Sequence, residues 1–225
     1  MNKPNEMLTQ NRLMDIINDN PLPDNEIEIF SFTTDRTEII HQRESNYAFL
    51  ELIKPLIQGN NVLDIFCGTN SIKQFSEQNH LATTVTGVDN GNNSHADINC
   101  NVENLPDILT LSNQFDIVTS FGGTESENYS DDYNYLKSDG LLIHGYSDTY
   151  FNDNNIESQL NPDDKTKKDT GITDLLKYFK PIAIIKIQQI HQIIDWPNQN
   201  EPIDLTVDMV YLIFGKNPIR QTKHN

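Results

Sequence analysis

The chain has 225 residues, a formal net charge of −17 and a hydrophobic content of 36%. This length suits one large domain, and so acidic a chain opposes binding to the polyanionic backbone of nucleic acid or to an anionic membrane surface. The two cysteines, Cys67 and Cys100, lack metal-ligand spacing, which argues against a disulfide framework or a zinc site. Without a basic and apolar leader or a membrane-spanning apolar run, we expect a soluble, cytoplasmic protein with no bound metal and no membrane partner.

The first forty residues are polar and rich in asparagine, and we expect residues 1–40 to form an extension. Within them, Met7 to Ile17 carries an approximate apolar stripe that is typical of a short helix. From Thr37 to Ile57, apolar residues recur at steps of three and four. This pattern predicts a second helix that stops at Gly59-Asn60.

Beyond residue 60, short β-rich runs alternate with helical stretches. Such alternation is typical of βαβ units and predicts a mainly parallel sheet with helices on both faces, an αβα sandwich. The last two β-rich runs are joined by a polar loop without a helix, so they pair antiparallel if they pair at all. The predicted strands are Val62–Phe66, Thr84–Val88, Phe115–Phe121, Leu141–Tyr146, Ile182–Ile194 and Leu205–Phe214. The predicted helices are Ile72–Gln78, Asp107–Leu111, Asp131–Lys137 and Leu175–Phe179.

The first β-rich run ends in an acidic residue and a small-residue turn, Asp64-Ile-Phe-Cys-Gly-Thr-Asn, before a helix start at Ser71. In open α/β sheets, ligands bind at the carboxyl ends of strands beside such turns. The segment lacks the phosphate-binding pattern GxxxxGK[ST], and with Gly68 alone it also lacks the dinucleotide pattern GxGxxG. A ligand without phosphate, such as one that carries positive charge, suits Asp64 better.

Five short sequence motifs occur one after another between residues 60 and 146, at intervals that are normal for motifs of a single domain. They are Val62-Leu-Asp-Ile-Phe-Cys-Gly-Thr-Asn, Val85-Thr-Gly-Val-Asp, Asn101-Val-Glu-Asn-Leu-Pro, Phe115-Asp-Ile-Val-Thr-Ser and Leu136-Lys-Ser-Asp-Gly-Leu-Leu-Ile. They resemble five motifs of class I S-adenosylmethionine-dependent methyltransferases. In the same order, these motifs are D-x-x-C-G-x-G, a second strand that ends in an acidic residue, D-A-E-x-L-P, F-D-x-V and L-K-P-G-G-x-L. The resemblance implies a seven-stranded, mainly parallel sheet with a C-terminal antiparallel hairpin. It also implies S-adenosyl-L-methionine as cofactor and transfer of a methyl group to an acceptor oxygen, nitrogen, sulfur or carbon.

The same resemblance assigns site residues. Asp89 would accept the ribose hydroxyls, although an Asp beside Asn90-Gly91 also suits an ordinary turn. Asp64 would lie near the amino-acid end of the cofactor, with helix capping as the alternative. Gly68 would let the backbone approach the cofactor, or be a plain turn glycine. The expected cofactor-binding set is Asp64, Cys67, Gly68, Thr69, Asp89, Asn90, Asp97, Asn101 and Phe121, and no catalytic residue is assigned.

Two residues depart from the family pattern. Asn70 stands where the second motif glycine is usual, and asparagine is the side chain that best tolerates a positive φ. Asn101 replaces the Asp that receives the adenine amino group; its amide oxygen can still accept, or Asp97 supplies the acid. Cys67 is expected to be a packing residue because no His–Asp partner pattern accompanies it. His144 could serve as a base or fill a buried, hydrogen-bonded core position.

The methyl acceptor is expected to be a small molecule or a protein side chain. Ser120-Phe-Gly-Gly replaces the N-P-P-[YF] tetrapeptide of enzymes that methylate base amino groups, and the acidic surface points away from nucleic acid. The predicted domain runs from 41 to 217, with a tail at 218–225 and a polar insertion at 147–172 that could serve as a lid. A non-catalytic methyltransferase-like scaffold is the alternative function, and the sequence leaves the oligomeric state open.

Overall fold

One mixed sheet forms the centre of the protein. The computed structural model describes residues 11–15, 28–40, 46–90, 92–110, 112–121, 129–147, 160, 172–193 and 203–217. The strands in these ranges are β1 (Glu28–Ile40), β2 (Asn61–Ile65), β3 (Thr84–Asp89), β4 (Ile98–Asn99), β5 (Phe115–Phe121), β6 (Leu136–Ser147), β7 (Phe179–Ile193) and β8 (Ile203–Lys216). The helices are α1 (Tyr47–Ile57), α2 (Ser71–Gln78), α3 (Leu105–Ile108), α4 (Tyr129–Tyr135) and α5 (Ile172–Tyr178), with a 3₁₀ turn at Val102–Asn104.

The strand order across the described sheet is β1-β7-β8-β6-β5-β2-β3-β4. Strand β8 runs antiparallel to both β6 and β7, and the other neighbouring pairs are parallel. The predicted α/β fold with a mainly parallel sheet and a C-terminal antiparallel hairpin is therefore confirmed. The described sheet has eight strands rather than seven, because β1 adds a strand beside β7.

Strand β1 corrects one prediction. Thr37 and Ile40, which begin the predicted helix, belong to this thirteen-residue strand, and the helix starts only at Tyr47. Threonine and isoleucine are frequent in β1, and β-branched residues favour strands over helices. The division into extension, domain, insertion and tail stays a prediction, since 148–159, 161–171 and 218–225 lie outside the described residues.

Helices cover both faces of the sheet. On one face, α1, α2 and the helical residues 11–15 pack on alternate residues of the central strands, among them Val62, Ile117 and Ile143. On the other face, α3, α4 and α5 pack on the intervening residues, such as Leu63 and Val118. Alternation of buried side chains on each strand follows from the two-residue period of a β-strand and gives three layers. Leu13 is buried, and the rest of the predicted Met7–Ile17 helix lies outside the described residues.

The chain reverses its direction of travel across the sheet between β2 and β5. From β2 it moves outward through β3 to β4, and it then returns to β5 and β6 on the other side of β2. In open α/β sheets, such a reversal leaves a crevice outside the carboxyl ends of the two strands, where ligands bind. The candidate site is therefore expected beside the carboxyl ends of β2, β3 and β5.

Candidate functional site

The turn after β2 has an unusual backbone. Phe66, Gly68 and Asn70 have φ values of 59°, 54° and 58°, so every second residue lies in the left-handed region. Glycine adopts this conformation readily, whereas for a bulky side chain such as Phe66 it costs about 1–3 kcal/mol. The turn is closed by hydrogen bonds from the Asn70 N–H to the Cys67 carbonyl and from the Cys67 N–H to the Val88 carbonyl. Backbone strain of this kind accumulates at functional sites.

Asn70 has the left-handed conformation that the sequence allowed for it, with φ 58° and ψ 49°. Its side chain is buried, and its Nδ2 donates to the His95 carbonyl at 2.8 Å. The side chain lies against Gly87 of β3, where an added Cβ would be only 2.4 Å from Nδ2. Among the described residues its Oδ1 has no hydrogen-bond partner. Asn70 therefore connects the β2 turn to the loop that follows β3.

Asp89 ends β3 and faces the β2 turn. Its side chain is only 8% exposed. Oδ2 accepts the Gly68 N–H at 3.0 Å and Nδ2 of Asn93 at 2.7 Å, and Oδ1 accepts the Asn90 N–H at 2.8 Å. These three donors fix the carboxylate beside the one glycine of the turn. The structure thus brings Asp89, Gly68 and Asn90 together.

Asn93 was not among the predicted site residues. It is buried, and its Nδ2 donates both to Asp89 and, at 2.6 Å, to the Gly68 carbonyl. Its Oδ1 accepts the His95 N–H at 3.0 Å, and its own N–H donates to Oδ1 of Asn99 at 2.9 Å. In the sequence, Asn93 is one asparagine in the polar run Asn90-Gly-Asn-Asn, which contains no signal that separates it from its neighbours.

Asp64 lies inside the sheet at the end of β2. Its Oδ1 accepts the hydroxyl of Thr119 from β5 at 2.8 Å. Burial raises the pKa of Asp64 to about 7; the Thr119 hydrogen bond opposes this shift, and the charge of Asp89 adds to it. A positive charge in the crevice would favour the ionised form of this carboxyl group.

The remaining polar residues of the predicted set lie around the loop after β3. Asp97 forms an ion pair with Lys73 at 2.5 Å and accepts the Gly87 N–H at 2.9 Å. Burial alone would raise the pKa of Asp97, but the hydrogen bonds and charge of Lys73 and the bonds from Gly87 and Asn70 lower it overall. Asn101 is exposed at the start of the 3₁₀ turn. Asp97 thus stabilises the loop, while Asn101 presents its side chain to solvent.

Phe121 ends β5 and is half-buried. Its ring meets Phe49 and Tyr211 edge-on, each at 5.7 Å between centroids, and those two rings stack at 3.8 Å. The Tyr211 hydroxyl donates to Oδ1 of Asn46 at 2.8 Å. Aromatic pairs in these geometries are stabilising, so the position of Phe121 is fixed from two sides.

Two further predicted residues lie in the β2 turn. Cys67 is buried beside Gly87, in agreement with a packing residue. Thr69 is half-buried, and its carbonyl accepts Nε2 of Gln74. Both therefore contribute to the shape of the turn.

His144 lies within β6, on the face of the sheet that α3, α4 and α5 cover. Burial lowers its pKa to about 4, and its ring lies 5.9 Å from that of Tyr129 and 5.8 Å from that of Tyr146. Its Nε2 has no hydrogen-bond partner in the described part of the chain. The side chain is thus buried, as the core alternative for His144 requires, but the hydrogen bond that this alternative included is absent at Nε2 among the described residues.

Within the described ranges, no group of three or more His, Cys, Asp or Glu side chains is placed to hold a metal ion. None of the helices in the same ranges combines the length and apolar character needed to cross a membrane.

Comparison with known proteins gives similarity at the level of the fold. No family model matches the chain, and no curated protein matches it in sequence. A provisionally named methyltransferase from Bacillus halodurans C-125 has 15% identity and a TM-score of 0.49, covering 77% of this chain and 99% of that one. A TehB-like SAM-dependent methyltransferase from Corynebacterium glutamicum ATCC 13032 has 14% identity and a TM-score of 0.45, covering 78% and 91%. The PH0226 protein from Pyrococcus horikoshii OT3 has 15% identity and a TM-score of 0.45, covering 76% and 91%.

Proposed function

We propose that this protein binds S-adenosylmethionine in the crevice beside β2, β3 and β5 and transfers its methyl group to an acceptor. Asp89 carries the proposal. It is a nearly buried carboxylate at the end of β3, and the N–H of Gly68 from the neighbouring strand's turn donates to it. This is the position at which the family resemblance requires an acid for the ribose hydroxyls.

The donor and acceptor set of the crevice suits the parts of this cofactor. Asp89 can accept hydroxyl hydrogens, and the absence of a side chain at Gly68 lets a ligand approach the backbone. The exposed side chains of Asn90 and Asn101 offer amide groups to the adenine. When ionised, the Asp64 carboxylate would favour a cationic ligand over a phosphate, which supports a sulfonium compound rather than a nucleotide.

When bound, S-adenosylmethionine supplies an activated methyl group on its sulfonium. The chain would then contribute orientation and exclusion of water more than acid or base chemistry. Phe121 would provide an apolar wall at the end of β5, held there by Phe49 and Tyr211. No catalytic residue is assigned, because alignment alone suits this chemistry.

We propose a small molecule or a protein side chain in the cytoplasm as the methyl acceptor. A net charge of −17 repels the nucleic-acid backbone, and the segment after β5 lacks the tetrapeptide of enzymes that methylate bases. The second candidate is a binding or scaffold protein that retains the fold without turnover. The asparagines at positions 70 and 101 favour it, because both depart from the family pattern of the cofactor loops.

The test is binding of S-adenosylhomocysteine, followed by turnover. Ligand at about 100 times its dissociation constant should stabilise the protein by about 2.7 kcal/mol, which for this size raises Tm by about 5–10 °C. Asp89→Ala should lose this shift, and Asp107→Ala, at an exposed position of α3, should keep it. No shift for the wild type at millimolar ligand would refute the proposal.

Turnover separates the enzyme from the scaffold. Wild-type protein is incubated with methyl-labelled S-adenosylmethionine and with the metabolite, protein and nucleic-acid fractions of a cell extract. We expect label in the metabolite or protein fraction, dependent on Asp89. Binding without labelling of any fraction would favour the scaffold, and label in nucleic acid would contradict the proposed acceptor.

A further inference from the structure

The hydrogen bonds to Asp89 limit how it can bind a ligand. A carboxylate has about four lone-pair positions, two on each oxygen. The Gly68 N–H and the Asn93 side chain take both positions on Oδ2, and the Asn90 N–H takes one on Oδ1. At most one position therefore remains for a ligand, whereas a ribose with both hydroxyls donating to Asp89 needs two.

At least one of these donors must leave if both hydroxyls are to bind. The Gly68 N–H belongs to the β2 turn, which backbone bonds from Asn70 to Cys67 and from Cys67 to Val88 close, and the Asn90 N–H directly follows Asp89, whose carbonyl accepts the Cys100 N–H. The Asn93 amide instead reaches Asp89 through a side chain with two rotatable bonds. It is therefore the donor that can leave without a change of backbone conformation.

We propose that Asn93 determines the affinity of the site, because its amide occupies the position on Asp89 that one hydroxyl of a bound vicinal diol takes. The inference rests on the proposed function, and the ligand class is a ribonucleoside with free 2′ and 3′ hydroxyls. Nδ2 also donates to the Gly68 carbonyl, and Oδ1 of the same amide accepts the His95 N–H, so displacement of this amide disturbs three hydrogen bonds. Displacement subtracts from the binding free energy, and the wild-type protein binds the diol more weakly than the bare carboxylate would.

The direction of one mutational effect tests the proposal. Asn93→Ala removes the competing donor and Asn93→Ser replaces it with a shorter one, and S-adenosylhomocysteine should then bind about fivefold to tenfold more tightly in isothermal titration calorimetry. A residue that merely holds Asp89 in place would instead weaken binding when it is shortened. Asn99→Ala is the matched control, since it removes the bond to the Asn93 N–H but keeps both amide bonds. It should leave the affinity unchanged or lower it.

A second measurement needs only the wild-type protein and uses adenosine, 2′-deoxyadenosine and 3′-deoxyadenosine. A ligand with one hydroxyl fewer needs one acceptor position fewer on Asp89, so the wild type should discriminate less than about threefold between adenosine and either analogue. In Asn93→Ala the discrimination should rise to about tenfold. Discrimination above about thirtyfold in the wild type would overturn the proposal even if both variants failed to fold.

Failure of this inference can be told apart from failure of the proposed function. If the wild type binds S-adenosylhomocysteine and the Asn93 variants bind it equally or more weakly, the role of Asn93 is refuted and the function stands. If neither the wild type nor any variant binds the ligand, the proposed function falls and the role of Asn93 falls with it.

Discussion

Replacing Asp64 with asparagine should make the protein more stable at neutral pH and leave its stability at pH 4 nearly unchanged. Asp64 is buried within the sheet, and burial raises its pKa from 3.8 to about 7. Between these values the folded protein holds a proton that the unfolded chain has released. Stability of the wild type therefore falls as the pH rises through this range. Asparagine resembles the protonated carboxyl in shape and can still accept the Thr119 hydroxyl.

The magnitude follows from the pKa difference. A shift of about three units, at about 1.4 kcal/mol per unit, corresponds to about 4 kcal/mol. The free energy of unfolding of Asp64→Asn minus that of the wild type should thus rise from near zero at pH 4 to about 4 kcal/mol at pH 8. Comparing the two proteins at each pH cancels the contributions of the other ionisable groups.

Urea denaturation at pH 4, 5, 6, 7 and 8, with linear extrapolation to water, measures this difference. Asp107→Asn at an exposed position supplies the comparison, and its difference from the wild type should not vary with pH. A difference for Asp64→Asn that stays constant across the series would refute the reasoning. A variant less stable than the wild type at pH 8 would show that the ionised carboxylate stabilises the fold.

Two further predictions concern the packing of the β2 turn and the buried histidine. Gly87→Ala should cost about 1–3 kcal/mol of stability, since its Cβ would lie 2.4 Å from Nδ2 of Asn70. Adding Asn70→Gly should recover at least about 1 kcal/mol in a double-mutant cycle, whereas additive costs would contradict the contact. The folded pKa of His144, about 4, lies below its unfolded value, so wild-type stability should fall as the pH drops from 6.5 to 4. His144→Gln should abolish about 3 kcal/mol of that loss in urea denaturation. Stability that depends on pH in the variant as it does in the wild type would contradict this prediction. His95 is an exposed histidine, and His95→Gln is the control.

Much of the fold could be predicted because the central strands carry local signals. The run from Phe115 to Phe121 is rich in apolar residues that favour strands and was predicted as a strand. Strand β5 begins and ends at those same residues. Strand β1 could not be found in this way, because it contains Asp35, Arg36 and Glu38 among its threonines. Its partner β7 lies far along the chain, so only tertiary pairing identifies it.

The candidate site was predictable in its main acid and not in its details. Asp89 follows a short β-rich run and stands where a strand end was expected, so its placement could be read from the sequence. Asn93 acts through a loop conformation that no periodicity encodes. A left-handed Phe66 is also contrary to the preference of its residue type, so the surrounding structure must impose this conformation.

The position of β8 has a consequence for the order in which this protein is made and folded. It follows the other described strands in the sequence, yet it lies between β6 and β7 and pairs with both. Strands β2 to β6 can therefore assemble during synthesis, whereas β7 joins this group only after residues 203–216 have left the ribosome. Strand β1 precedes the other described strands but pairs with β7, so Glu28 has no strand partner until Ala183 has been synthesised. Pairings this distant fold slowly and leave an early strand edge exposed. Emergence of β8, rather than of the strands before it, is thus expected to start the closing step of folding.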